Sequence, residues 1–169
     1  MAESVPDTLN EIGVLRRREI EARIVAPLLD RLAARFGDEV YQVAAATIVD
    51  IAREQGAALA AEAGGDSLAT FAETLGAWTS GGAMDMTVVE AGEDLFSFDV
   101  TRCGYADMYR ALGLADLGAM LSCNRDASLI EGFNPAVSFR RTQTLMEGAS
   151  HCDFRYRLEA TPVELAERR

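Results

Sequence analysis

The sequence predicts an α+β fold, with N-terminal helices packed on an antiparallel sheet of about four strands. Three observations carry that expectation: apolar residues recur at helical spacing through the first half, the period changes to two from Met84 onward, and turn residues join two pairs of alternating segments. With 169 residues, 49% apolar and 25% charged, the chain is long enough for one packed core and short for two. A single domain over residues 1–169 is expected, helical over 8–80 and mixed sheet and helix over 83–160.

Ile20, Ile24, Val25, Leu28, Leu29 and Leu32 mark the apolar face of a first helix that ends near Phe36 and Gly37. Pro27 removes a backbone donor inside it, so a bend or a restart is expected there. The run Arg16-Arg17-Arg18-Glu19-Ile20-Glu21 mixes charges on adjacent turns and reads as a solvated face, with Arg17 and Glu21 at pairing distance. Asp38 can cap a second helix carrying Val40, Ala44, Ile48, Ile51, Ala52 and Leu59, which Gly64 and Gly65 stop. Asp66 can cap a third with Leu68, Phe71, Leu75 and Trp78, broken at Gly81 and Gly82.

The segments 84–88 and 96–100 alternate around an Ala91-Gly92-Glu93-Asp94 turn and read as a hairpin. A helix over about 105–112 and a short one over 114–121 follow, separated by Gly113. A second strand pair is expected over 137–145 and 152–158, joined by a turn at 146–150, and Glu164 to Arg169 form a charged end.

Sixteen basic residues against 27 acidic ones give a net charge of −11, the wrong sign for phosphate backbones or anionic lipid. No nucleic acid and no membrane partner is expected. All sixteen are arginine, which excludes lysine Schiff bases and phosphate-loop ammonium groups but suits recognition of a small carboxylate. An export signal and a membrane-spanning run are not legible, and three cysteines without framework spacing fit reduced thiols, so a cytoplasmic protein is expected. The alanine-rich second helix leaves a homo-oligomer open.

The reactive side chains cluster late: Cys103, Cys123 and Cys152 and the single histidine, His151, all lie within residues 103–152. Strand parity places Cys103 with Ser97, Asp99 and Thr101, away from Phe96, Phe98 and Val100. It places Cys152 inward with Phe154 and Tyr156, and His151 outward with Asp153 and Arg155, where the imidazole is better placed to activate a distant cysteine than its neighbour. Cys123 ends a short apolar helix and precedes Asn124, Arg125 and Asp126, joining thiol, guanidinium and carboxylate at a helix-to-loop junction. A helix C-terminus raises a thiol pKa, so activation there needs a cation, a histidine or a metal. A Cys₃His zinc site is the competing use of these residues, although no cysteine spacing is of the short zinc-binding type.

The segments LRRREIEARI, CGYADMY, SCNRD and FNPAVSFRRTQTLMEGASHCDFRY together resemble the L-2-amino-thiazoline-4-carboxylic acid hydrolase family, from about Gly13 to Leu158. The resemblance implies hydrolytic opening of a small heterocycle at a carbon–nitrogen bond and draws attention to Cys103, Cys123, Asp126, Cys152 and Asp153. Joined to the residue chemistry it yields one expected mechanism: Cys123, or else Cys103, attacks an amidine-like ring carbon, while Asp126, or His151 with Asp153, moves protons. Arg125, Arg141 and Cys152 are the expected substrate contacts. No cofactor is required, zinc being the one left open. Two alternatives stand beside this: a metal-dependent hydrolase built on the Cys/His/Asp cluster, and a small-ligand binding protein without turnover.

Overall fold

The structure is a computed structural model and describes residues 9–159. The charged end expected over Glu164–Arg169 lies outside the described residues. The fold is α+β, as expected. After a 3₁₀ turn at Leu9–Ile12 come α1 (Val14–Phe36), α2 (Glu39–Ala63), α3 (Leu68–Thr74) and the single turn α4 (Gly76–Thr79). β1 (Met84–Ala91) and β2 (Leu95–Cys103) follow, then α5 (Gly104–Ala111), α6 (Ala115–Gly118), a π-helical turn at Ala119–Cys123 and α7 (Arg125–Phe133). β3 (Val137–Arg140) and β4 (Cys152–Leu158) complete one antiparallel sheet of order β1-β2-β4-β3.

The helices depart from the expected faces in an instructive way. In α1 the buried stripe is Arg18, Ala22, Ala26 and Leu29, whereas Ile20, Ile24 and Leu28 are 48%, 65% and 54% exposed. Ala22 packs with Ile48 of α2 and with Ala106 and Tyr109 of α5, and only a small side chain fits where three helices converge. The chain does not restart at Pro27: α1 runs unbroken through it, with the proline exposed, where a freed carbonyl can meet water. The expected caps also shift. Asp38 makes no side-chain cap, and Ser67, not Asp66, caps α3 by accepting from the Thr70 N–H at 3.1 Å. Gly64 does end α2, in the left-handed region at φ +73°.

The sequence reading assigned no helix to residues 125–133, yet α7 is the element that α2 holds most closely. Gly56 of α2 and Gly132 of α7 form the seam: a Cβ on Gly132 would lie 1.9 Å from the Arg53 carbonyl oxygen, and one on Gly56 2.0 Å from that of Leu129. Backbone therefore touches backbone. The sheet's inner face packs Phe96, Phe98, Val100, Phe154 and Tyr156 against Leu68, Phe71, Ile130 and Phe133. Phe98 and Phe154 are cross-strand partners with stacked rings 4.7 Å apart. A second apolar cluster, between α1, α2, α5 and the π-turn, touches Cys103, Cys123 and Leu145. Cys103 and Leu145 also touch the first, so they sit where the two clusters meet.

β3 stops at Arg140 rather than reaching Leu145. The Asp153 carboxylate captures the next residues instead, accepting from the N–H groups of Thr142 and Gln143 at 2.9 and 3.0 Å and from the Thr142 hydroxyl at 2.7 Å. That diversion carries Arg141 off the sheet and inward. Among the described residues no helix is long and apolar enough to cross a membrane.

Candidate functional site

Where the two apolar clusters meet, the helices and the sheet enclose a half-open pocket of about 690 Å³, counted with the open solvent at its mouth. All three cysteines line it, with Asp126, Arg125 and Arg141. The sequence expectation thus brought six of its eight site residues to one place. His151 and Asp153 are not among them. The parity that sets Cys152 inward sets both outward: Asp153 holds the 142–143 loop, and the His151 ring meets Gln143 and Ser150. The expected His151–Asp153 pair is not made, and the imidazole does not line the cavity.

Cys103 arrives by a backbone irregularity that parity cannot see. Met86 pairs with Val100 but Asp85 pairs with Arg102, so Thr101 is an extra residue in β2. This bulge reverses the alternation beyond it and turns Cys103 to the side of Val100 rather than of Asp99. Both line the cavity, with Met84. The chain then corners into α5 at Gly104, whose N–H donates to the Ala83 carbonyl at 2.7 Å and where a Cβ would stand 2.8 Å from that oxygen. Cys103 is therefore the residue preceding the α5 N-terminus. The Tyr105 and Ala106 N–H groups favour its thiolate, although no regular capping hydrogen bond is closed, and burial outweighs them, leaving the thiol above its ordinary value.

Cys123 lies in the π-turn, where the Asn124 N–H donates to the Ala119 carbonyl at 2.8 Å, five residues back. Asn124 leads straight into α7, so the expected helix-to-loop junction is a junction between two helices. Burial and then the neighbouring Asp126 carboxylate push the Cys123 thiol up to about 12. Cys152, buried as expected, accepts a hydrogen bond from the Leu145 N–H at 3.1 Å, and burial raises its thiol too.

Asp126 sits in the first turn of α7. Its carboxylate accepts a hydrogen bond from the Arg141 guanidinium, which also donates to the Cys123 carbonyl at 3.2 Å and lies 5.2 Å from the centre of the Phe154 ring. Burial in the cavity wall lifts the carboxyl to about 6 against the pull of Arg141. A carboxyl at that value changes charge near neutrality, which suits it to carrying a proton.

Lining residues outside the expected set include Trp78, Tyr105 and Arg18. Trp78 and Tyr105 close the apolar wall, the tyrosine hydroxyl donating to the Trp78 carbonyl at 3.2 Å. Arg18, from α1, belongs to a run whose mixed charges predict a solvated face, yet it is 6% exposed and lines the cavity. Its signal was present in the row Arg18-Ala22-Ala26, a four-residue repeat of the positions that the helix buries. No group of three or more His, Cys, Asp or Glu among the described residues is placed to hold a metal ion.

The profile of the L-2-amino-thiazoline-4-carboxylic acid hydrolase family matches residues 17–156. The chain belongs to that family. The match includes every cavity residue named above, and it suggests a hydrolase acting on a small heterocycle. No curated protein sequence matches this family member. Among solved structures it is similar to the phenol-responsive sensory domain of the transcription activator PoxR with phenol, at 14% identity and a TM-score of 0.52, over 85% of this chain and 78% of that one. It is also similar to a trafficking protein particle complex subunit 3 from Naegleria fowleri covalently bound to palmitic acid, at 10% identity and a TM-score of 0.50, over 85% of this chain and 96% of that one. At such identities these likenesses concern the fold.

Proposed function

We propose that the protein hydrolyses a small cyclic amidine or amide carrying a carboxylate, opening the ring at a carbon–nitrogen bond through attack by a cavity cysteine. The observation that carries the reading is the convergence of three thiols and the Asp126 carboxyl on one largely apolar cavity. The family supports the substrate class.

Cys103 is the better nucleophile of the two first expected. Backbone N–H groups at a helix start favour its thiolate, whereas Cys123 has a carboxylate beside it and is raised to about 12. In the proposed sequence Asp126 takes the Cys103 proton as the sulfur adds to the amidine-type carbon, and the C=N electron pair moves onto nitrogen. Asp126 returns that proton to the ring nitrogen, and the adduct collapses by breaking the ring carbon–nitrogen bond as the exocyclic amino group forms a C=N bond, its proton passing through Asp126 to the departing nitrogen, which leaves as an amine. Water then attacks the carbon held by sulfur and restores the thiol. Arg141 keeps Asp126 oriented toward the cavity.

The test is ring opening of 2-amino-2-thiazoline-4-carboxylate, followed by loss of ring absorbance and by mass, in the wild type and in Cys103→Ser and Cys123→Ser. Loss confined to Cys103→Ser, with a covalent adduct on the peptide containing Cys103, is the expected result. Full activity in both variants would remove attack by Cys103 and by Cys123 from the mechanism. A free thiol in the product would move the cleavage to the carbon–sulfur bond and leave hydrolysis standing.

A second reading, ligand binding without turnover, is supported by the structural neighbours, one a sensory domain with phenol and one bound to palmitic acid. Stoichiometric binding of the same compound with no product separates it.

A further inference from the structure

Three guanidinium groups and one carboxylate line the cavity, in a chain whose net charge is −11. The three are not equivalent. Arg141 is committed: it donates to Asp126 and to the Cys123 carbonyl, and the Phe139 and Phe154 rings lie 5.8 and 5.2 Å from its central carbon. Arg125 donates its Nε to the Leu121 carbonyl at 3.1 Å and its Nη1 to Gln55 at 3.3 Å, both neutral acceptors. Arg18 donates its Nη1 to Glu21 at 2.6 Å, and Glu21 is 40% exposed while Arg18 has a side chain only 7% exposed.

We propose that Arg18 and Arg125 together form the subsite for the carboxylate of the substrate, with Glu21 as the internal competitor that the substrate displaces. The proposal rests on the hydrolase reading for its substrate class, but the subsite is built from geometry. Two guanidinium groups from different elements, α1 and α7, face one cavity. Neither has a carboxylate of the cavity wall as a partner, because the one there is taken by Arg141. Burying two like charges side by side is unfavourable without an anion between them. Burial and then the field of Arg18 bring Arg125 down to about 10, with Glu21 pulling the other way. A planar carboxylate can bridge two guanidinium forks, each donating a pair of N–H groups, in a way that a neutral ring cannot.

The arrangement also orients the substrate. Arg125 and Asp126 are consecutive in the first turn of α7, so a ring held at Arg125 by its carboxylate lies beside the group that carries the proton. Arg141, the other arginine expected from sequence to hold the carboxylate, serves Asp126 instead.

The experiment compares 2-amino-2-thiazoline-4-carboxylate with 2-amino-2-thiazoline, which lacks the carboxylate, using the full chain. Calorimetric binding is measured in a Cys103→Ser background alongside kcat/KM in the wild type. Wild-type protein should prefer the carboxylated compound, and Arg18→Gln and Arg125→Gln should each reduce that preference about 10- to 100-fold, mainly through binding and KM. Arg18→Lys keeps the charge but not the fork and should fall between. Glu21→Gln frees the Arg18 guanidinium and should tighten binding of the carboxylated compound alone, an effect that a purely structural arginine does not produce. Because Glu21 is half-exposed, this variant stays informative even where Arg18→Gln fails to fold. Equal losses for both compounds in the arginine variants, or no tightening in Glu21→Gln, would overturn the subsite while leaving hydrolysis intact. Absence of turnover with either compound would sink the hydrolase reading, and the binding preference would still decide the subsite.

Discussion

Replacing Gly132 by alanine puts one methyl group into the seam that positions the site. On the present backbone its Cβ would stand 1.9 Å from the Arg53 carbonyl oxygen and 2.7 Å from the carbonyl carbon. That is about 1.5 Å short of an ordinary contact, and the obstacle is helix backbone, which cannot rotate away as a side chain can. α2 and α7 must therefore part. Overpacking of this kind costs about 3 kcal/mol, offset by about 1 kcal/mol from the better helix propensity of alanine. The net loss of about 2 kcal/mol should lower the melting temperature by roughly 4–8 °C for a chain of this size. Urea unfolding followed by circular dichroism measures it as a lower midpoint at unchanged slope. Gly76→Ala is the control, because nothing lies within 4 Å of its Cβ and its backbone is helical, so stability should stay level or rise slightly. A Gly132→Ala protein within about 0.5 kcal/mol of wild type would refute the backbone-contact reasoning. Since α7 carries Asp126 in its first turn, ring opening in the same variant should fall as well.

Two further outcomes follow from the carboxyl groups. With Asp126 at about 6, the proton-accepting form appears as pH rises through that value, so the rate should climb between about pH 5 and 7. Asp126→Asn should lower the rate by about 10²- to 10⁴-fold and abolish this limb, and a limb that persists in the variant would assign it elsewhere. The stability contribution of the same group runs the opposite way: its folded pKa is raised, so stabilisation is present below the unfolded value of 3.8 and is lost as pH rises through about 6. Asp153 behaves conversely. Burial opposes its charge, but hydrogen bonds from Thr142 and Gln143 outweigh it and hold the carboxyl below its usual range. The stability it confers is therefore complete above its unfolded value of 3.8 and is lost as acid titrates it below that. Asp153→Asn should increase amide exchange across residues 141–151 and remove this acid sensitivity, and unchanged exchange would dissociate the carboxylate from the loop.

Much of the architecture was legible in local pattern. Helical spacing before Met84 and alternation after it placed α1, α2, α3 and the β1–β2 hairpin, because hydrophobic periodicity reports which face meets a core whatever that core is. Cys152 was correctly set inward with Phe154 and Tyr156, since β4 is regular over its length. α7 was harder to see: Arg125 to Phe133 is nine residues with a glycine near its end, and the glycine that weakens its helical signature is the one that lets α2 touch it.

The sequence by itself determined the α+β class, the absence of lysine chemistry, and the clustering of sulfur, carboxyl and guanidinium groups in one half of the chain. Only the tertiary structure decided which of them meet. A single extra residue in β2 brought Cys103 to the cavity, the regular alternation of β4 kept His151 and Asp153 away from it, and α1, remote in sequence, supplied Arg18. The physical reason is that periodicity is a property of one segment, whereas a bulge, a strand register and the convergence of three helices are settled between segments, by which backbone groups find partners and which side chains are small enough to allow contact.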